Sequence, residues 1–163
     1  MAHAFPSPFN STFETGVRTT VILQAASPDK YDIERLTTLD HLVVHTGDLG
    51  GPASLHPPVA SRWAELVVRR GLVQNGIKLM MLKGLIRYHE DATGIYYSAG
   101  NEAATFVYQM RTEYARSLTS AADWLINFTG DYTRDALRTL AHRQFERWAL
   151  EFQARHPHRG SEK

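Results

Sequence analysis

The chain of 163 residues contains no cysteine, and this absence excludes disulfide bonds, a cysteine nucleophile and thiolate metal sites. An excess of one charge is also missing: 18 Lys and Arg face 17 Asp and Glu, so no strong overall field attracts nucleic acid or acidic lipid. No apolar run approaches the roughly 20 residues of a membrane span. The N-terminal residues lack the features of a secretion signal. We therefore expect a cytoplasmic protein with no membrane partner.

What the chain does contain is enough apolar material for a core. Hydrophobic residues make up 43% and charged residues 21% of the sequence, which is typical of a folded chain rather than a disordered one. The length corresponds to one domain, or to one domain with a helical extension.

The charge is spread unevenly along the chain. Residues 61–89 carry a net charge of +5, whereas residues 1–60 carry −3 and residues 90–163 carry −1. A basic segment in a neutral chain indicates a surface that meets something acidic. The alternative is a set of solvated helix faces that are merely adjacent.

Helix-capping residues predict two helices in the first part of the chain. Ser11 and Glu14 have the spacing of a capping box, and Asp32 can cap a second helix whose apolar residues recur every three or four positions. The Gly- and Pro-rich loop 46–60 follows, and it is longer than connections within compact domains usually are.

The basic segment has the element order of a winged helix-turn-helix. Ser61 can cap a short helix through Val68, and a longer helix is expected from about Arg69 to Lys83, ending at Gly84. Two β-prone runs then flank the Gly-containing segment 90–94, which predicts a hairpin. Helix, turn, helix and hairpin in this order predict a winged-helix core.

The last part of the chain is predicted to be helical. Asn101 is expected to cap one helix, a second should end near Gly130, and Thr133 should cap the last. The predicted fold class is therefore mainly α: a winged helix-turn-helix core with a small β-hairpin wing and C-terminal helices. The predicted divisions are an N-terminal arm (1–10), the winged-helix core (11–100), a C-terminal helical extension (101–156) and a flexible tail (157–163).

Motifs for metal, nucleotide or nucleophilic chemistry are weak. His41 and His45 have the i, i+4 spacing of a zinc pair, but no third ligand is evident, and helix capping or a half-buried helix face explains them more simply. The glycines of segment 47–51 match no phosphate-binding motif. No serine, histidine and acid combination stands out as a nucleophile. We predict no catalytic residue, no cofactor and no metal.

Basic side chains of the third helix form a candidate DNA contact. Arg70, Gln74 and Lys78 share one face for about two turns, and apolar residues follow on the same side. A base-reading helix keeps a polar face along most of its length, so a core or docking helix is the better interpretation. Contacts to DNA phosphates require only charge and reach, and the candidates for them are Arg69, Arg70, Lys78, Lys83 and Arg87.

The aromatic residues of the last two helices allow two interpretations. They form either part of the core or an interface with a partner, and periodicity does not separate the two. The set consists of Trp124, Phe128, Phe145, Trp148 and Phe152.

Several segments together resemble the middle component of bacterial ABC-three-component systems. The segments are Phe9–Arg18, Leu39–Asp48, Gly50–Pro58, Glu65–Arg70, Lys83–Ile86 and Phe145–Trp148. The resemblance covers about residues 9–153 and departs after the arginine pair, where Gly71-Leu72 stands in place of the Glu-Leu frequent in the family. It implies a small non-catalytic subunit, encoded with an SMC- or Rad50-like ABC ATPase and an effector that is often a nuclease. Such systems resemble Lamassu-type defence against phages and plasmids.

On this resemblance we expect an adaptor that connects the ATPase to the effector, with double-stranded DNA as a further contact within the complex. The loop is the candidate docking surface, through Asp48, Gly50, Pro52, His56 and Pro57. Its alternative is a loop that packs on its own domain. The competing functions are a winged-helix transcription regulator that binds DNA as a homodimer and a histidine-ligated metal hydrolase.

Overall fold

The structure is a computed structural model that describes residues 11–59 and 62–156, with the side chains of residues 62–64 excluded. These residues form six α-helices and one antiparallel hairpin. The helices are α1 (Thr12–Ala26), α2 (Ile33–Val43), α3 (Arg62–Leu82), α4 (Ala103–Gln109), α5 (Glu113–Thr129) and α6 (Arg134–Arg155), and the strands are β1 (Ile86–Asp91) and β2 (Gly94–Ala99). A short 3₁₀ helix, Thr46–Leu49, follows α2. The predicted arm, the predicted tail, Ala60 and Ser61 lie outside the described residues.

Side-chain caps begin four of the helices. The Ser11 hydroxyl accepts from the backbone N–H of Glu14 at 3.1 Å, and the Asp32 carboxylate accepts from that of Arg35 at 2.8 Å. Thr112 and Thr133 cap α5 and α6 in the same way. Each cap satisfies a backbone donor that the first turn leaves without a partner. The predicted caps Ser11, Asp32 and Thr133 are confirmed.

The third helix is longer than the sequence predicted. The expected break near Arg69 is wrong: α3 is continuous from Arg62 to Leu82, and Gly71 lies within it. Packing of the inward face against α1 and α2 outweighs the low helix propensity of one glycine. Gly84 follows the helix at φ 71°, the left-handed conformation that glycine adopts at helix ends.

The hairpin is attached to the segment before α2. β1 and β2 pair in antiparallel register from Ile86 with Ala99 to Asp91 with Gly94, which confirms the predicted hairpin. Tyr31 forms an isolated bridge to Tyr97 of β2, with N–H to carbonyl distances of 2.9 and 2.8 Å. The backbone next to α2 thus extends the hairpin by one bridge.

The start of the C-terminal region differs from the prediction. Asn101 does not cap α4: Glu102 is the N-cap residue, and the Asn101 side chain accepts a hydrogen bond from Arg87 instead. α4 ends at Gln109, and Thr112 begins α5. Three helices follow Gly100, as predicted, but the first ends at Gln109 and the second begins at the cap Thr112.

The hydrophobic core is shared between the two halves of the chain. α1 packs on α3 and α5, and α2 packs on α3, α5 and α6. Leu36, Leu39, Ile77 and Met80 belong to the same buried cluster as Leu118 and Leu125 of α5 and Leu137 of α6. The predicted fold class is confirmed as mainly helical with a small hairpin and C-terminal helices.

Two glycines bring α1 and α3 into close contact. A Cβ atom at Gly76 would lie 2.7 Å from the backbone nitrogen and 2.9 Å from the Cα of Gly16. Such distances are shorter than real Cβ contacts, so the two helix backbones touch at this point.

Within the described part of the chain, no helix combines the length and apolarity needed to cross a bilayer.

Candidate functional site

A buried ionic cluster joins α1, α2 and α3. The Asp40 carboxylate accepts from Arg18 Nε at 2.9 Å and from Arg69 Nη1 at 2.5 Å. Arg69 also pairs with Glu65, one helical turn earlier. Two arginines and two carboxylates give the cluster a balanced charge, which buried ions require. We call Arg18, Asp40, Glu65 and Arg69 the ionic cluster.

The Asp40 carboxylate stays ionised in this environment. Burial by itself would raise its pKa, but the guanidinium groups of Arg18 and Arg69 outweigh burial and hold the pKa below its usual range. Asp40 is fully buried, and its ion pairs join α2 to α1 through Arg18 and to α3 through Arg69. Its position inside the core indicates a role in folding rather than in ligand contact.

A second polar network connects α2 to α6. His41 Nε2 lies 2.9 Å from Gln144 Oε1, and Gln144 Nε2 donates to the backbone carbonyl of His45 at 3.0 Å. Because the Gln144 amide nitrogen also donates to Asp48, its oxygen faces His41, and the His41 proton resides on Nε2. We call His41, His45 and Gln144 the histidine–glutamine network.

Aromatic rings surround these histidines. His41 stacks on Phe145 at a centroid distance of 4.6 Å, and His45 meets the edge of Trp148 at 4.7 Å. Both rings are buried, and neither nitrogen of His45 has a well-formed hydrogen bond to a described residue. In the described residues no group of three His, Asp or Glu is placed to hold a metal ion. The two histidines, whose spacing had raised the question of a zinc pair, lie in the interface between α2 and α6.

Burial keeps the histidine rings neutral. It lowers the pKa of His45 to about 3, with the positive charge of Arg69 as the next cause, and it lowers the pKa of His41 well below 6.5. His56, which is half-buried and lies 3.1 Å from the Tyr114 hydroxyl, has its pKa lowered to about 4 by burial and by Arg18 and Arg69.

Acid is therefore expected to destabilise the fold. Unfolded histidines bind protons near pH 6.5, whereas the folded rings do not, so stability is complete above pH 6.5 and falls as the pH drops towards the folded pKa values. At pH 4.5, His45 alone is expected to cost about 2–3 kcal/mol. Urea unfolding of the wild type and of His45→Phe at pH 7 and pH 4.5 measures the effect. Equal losses of stability in the two proteins would contradict the assignment.

The predicted docking loop is held by the protein's own helices. The Asp48 carboxylate accepts from Trp148 Nε1 at 2.8 Å, and the Asp48 carbonyl accepts from Arg147 at 2.9 Å. The Pro52 carbonyl accepts from Thr46 Oγ1, and His56 contacts Tyr114. These contacts favour the alternative in which the loop packs on its own domain.

The loop also lies against an aromatic residue of α5. A Cβ atom at Gly51 would lie 2.6 Å from the Trp124 ring, so only glycine fits at this contact. Gly50, at φ 84°, and Pro57 are exposed and remain accessible to a partner. Of the five predicted docking residues, only Gly50 and Pro57 are exposed; Asp48, Pro52 and His56 are half-buried.

The five predicted phosphate contacts do not share one environment. Arg69 is only 4% exposed and belongs to the ionic cluster, so it is removed from the set. The other four are exposed: Arg70 and Lys78 on α3, Lys83 in the turn after it, and Arg87 on β1. Arg69 and Arg70 are neighbours in the sequence, but one side chain enters the core and the other faces outward.

The exposed side of α3 combines basic and aliphatic residues. We call it the outer face, and it consists of Val67, Val68, Arg70, Gly71, Gln74, Asn75, Lys78, Met81 and Leu82. Large aliphatic side chains are exposed at both of its ends, and polar residues occupy the middle. The mixed character predicted from the sequence is thus present on the surface.

The aromatic residues of α5 and α6 differ in burial. Phe145 and Trp148 are buried and hold the histidines, whereas Trp124 and Phe152 are half-buried. Phe128 is exposed and stacks on Trp124 at 4.7 Å. The core interpretation therefore applies to Phe145 and Trp148.

Sequence reasoning missed Arg18, Asp40 and Gln144. A signal existed for Asp40, which follows Leu36 by four residues and therefore lies on the apolar side of α2, where a charge needs a partner. The identity of that partner depends on how α1 and α3 cross α2. No local pattern contains this information.

Comparison with known protein families identifies the family of the chain. A family model described as ABC-three component (ABC-3C) system Middle Component 2 matches residues 8–151. No curated protein and no solved structure matches the chain. The matched range contains the ionic cluster, the histidine–glutamine network and the outer face of α3.

Proposed function

The chain belongs to the middle component 2 family of ABC-three component systems, and on this premise we propose that it is a non-catalytic adaptor subunit. It connects an SMC- or Rad50-like ABC ATPase to an effector such as a nuclease, in a complex that defends the cell against phages and plasmids. The family match over residues 8–151 is the observation that carries the proposal, because a component of a multi-component system has partner subunits.

The pairing of the buried polar residues with one another supports a non-catalytic subunit. Arg18, Asp40 and Arg69 are buried and pair with one another, and His41 is held by Gln144. A catalytic acid or base must reach a substrate, whereas these groups face one another inside the core. Their chemistry stabilises the position of α2 between its neighbours.

Reconstitution from the three components tests the adaptor. The tagged chain is co-expressed with the ATPase and the effector of its own system, and we expect all three to elute together on size exclusion. Without the chain, the ATPase and the effector should elute separately, because the adaptor supplies contacts to both. An ATPase–effector complex that forms equally well without the chain would refute the proposal, as would substrate turnover by the purified chain alone.

A second candidate function is a free-standing winged-helix transcription regulator. The order α1, Tyr31 bridge, α2, α3, β1 and β2 favours it, because a winged helix has its elements in this order. The connection formed by residues 44–61 argues against it, since helix-turn-helix motifs use a turn of about 3–4 residues. Salt-dependent binding of the isolated chain to duplex DNA, with preference for one operator, would favour the regulator over the adaptor.

A further inference from the structure

The outer face of α3 exposes aliphatic side chains that no described residue covers. Val67 and Val68 are 67% and 61% exposed at one end of the face, and Leu82 is 87% exposed at the other. About 22 Å of helix separate Val67 from Leu82, at 1.5 Å per residue. Adjacent exposed apolar residues such as Val67 and Val68 are typical of a surface that a partner covers.

The charge of the same face has one sign. Arg70 and Lys78 are exposed, as is Lys83 just beyond the end of the helix, and none of them forms an ion pair with another residue in the described part of the chain. The sequence contains no acidic residue between Glu65 and Glu90. An occupant that matches this face must therefore supply carboxylates or phosphates as well as apolar contacts.

Gly71 lies in the middle of the outer face, and no contact with a described residue accounts for a glycine there. A Cβ atom at this position would meet no described residue within 4 Å, and its backbone is helical. Glycine weakens a helix relative to alanine, so its presence here is explained when another backbone approaches closely. Gly76 serves this purpose for α1 on the inner side of the same helix.

A groove runs beside the N-terminal half of the outer face. It has a volume of about 370 Å³ between α2, α3 and α6, and Thr37, Leu66, Val67 and Arg70 are among the residues that line it. A side chain from a helix lying on α3 can enter this groove next to Val67. A partner can therefore match this surface in shape as well as in charge.

We propose that the outer face of α3 binds an acidic amphipathic helix of a partner subunit, an inference that rests on the adaptor function above. Apolar residues of the partner helix cover the valines at one end and Leu82 at the other, and its carboxylates face Arg70 and Lys78. Gly71 marks the point where the two helices approach most closely. Duplex DNA fits this face less well, because phosphates gain nothing from exposed valine and leucine side chains.

Neutral substitutions distinguish a helix from DNA. The full chain, Val68→Ser, Leu82→Ser and Gly71→Leu are each titrated against the purified ATPase and effector of the same system by biolayer interferometry. We expect each variant to bind one of the two subunits at least tenfold more weakly, while its binding to the other subunit is unchanged. Gly71→Ala is expected to raise the melting temperature by about 2–4 °C and still to weaken binding.

Leu150→Ser on α6 is the matched control, because Leu150 is also exposed but lies outside the outer face. It should bind both subunits as the wild type does. Wild-type affinity in all α3 variants would overturn the inference and leave the adaptor function intact, whereas a chain that binds neither subunit would overturn both. Binding of a duplex DNA probe that is lost in Arg70→Gln and Lys78→Gln but retained in Leu82→Ser would assign the face to DNA and also overturn the inference.

Discussion

Replacing Asp40 by asparagine is expected to lower the free energy of unfolding by about 3–5 kcal/mol. The carboxylate balances Arg18 and Arg69, whose side chains are 1% and 4% exposed, and an amide of the same shape leaves both positive charges in the core. The remaining carboxylate, Glu65, pairs with Arg69 rather than Arg18 among the described ion pairs. Urea unfolding followed by circular dichroism at pH 7 measures the loss.

Two further variants show whether the loss arises from unpaired charge. Asp123→Asn on α5 makes the same chemical change at an exposed position and should alter stability by less than about 0.5 kcal/mol. The combined variant Arg18→Met, Asp40→Leu, Glu65→Gln and Arg69→Met removes all four charges of the ionic cluster and should recover most of the stability, because well-packed apolar residues often replace buried ion pairs without loss. A cost of Asp40→Asn no larger than that of Asp123→Asn would contradict the role of the ionic cluster.

Replacing Gly76 by valine is expected to destabilise the protein by about 3 kcal/mol or more, the upper end for overpacked cores. The added Cβ would lie 2.7 Å from the backbone nitrogen of Gly16 and 3.1 Å from the carbonyl oxygen of Thr12. Backbone atoms within a helix do not move independently, so α1 and α3 must separate. Thermal unfolding of the variant measures the effect.

Gly71→Ala in the same helix is the control for this prediction. Its Cβ would meet no described residue within 4 Å, so the higher helix propensity of alanine should stabilise the chain by about 0.5–1 kcal/mol. Opposite signs at the two glycines would show that contact with α1 decides the outcome. A loss of stability at both positions would instead indicate that α3 needs glycine for a different reason.

The parts of the fold that the sequence predicted are those with local causes. Ser11, Asp32 and Thr133 were recognised as caps because a cap bonds to a backbone group three residues further along the chain. The hairpin was recognised because its strands flank a short Gly-containing turn. Neighbouring residues determine these features, so a single sequence contains the necessary information.

The features that the sequence did not predict depend on distant contacts. The predicted start of a new helix near Arg69 is wrong because the continuity of α3 from Arg62 to Leu82 comes from its packing on α1 and α2, which no local pattern contains. The candidate site shows the same limit: Arg69 has the sequence context of a surface arginine, and only the crossing of α2 and α3 places it beside Asp40. Gln144, about a hundred residues from His41, is the extreme case.

The hydrogen bonds from α6 to Asp48 have a consequence for how a partner would bind the loop. Because Asp48 is bonded to Trp148 and Gly51 lies against Trp124, the loop already has its shape before any partner arrives. The loop is therefore preorganised, and it loses little conformational entropy when a partner contacts Gly50 and Pro57. Docking at this side of the molecule should resemble the meeting of two rigid bodies, and the strength of the interface, rather than loop ordering, should set the lifetime of the complex.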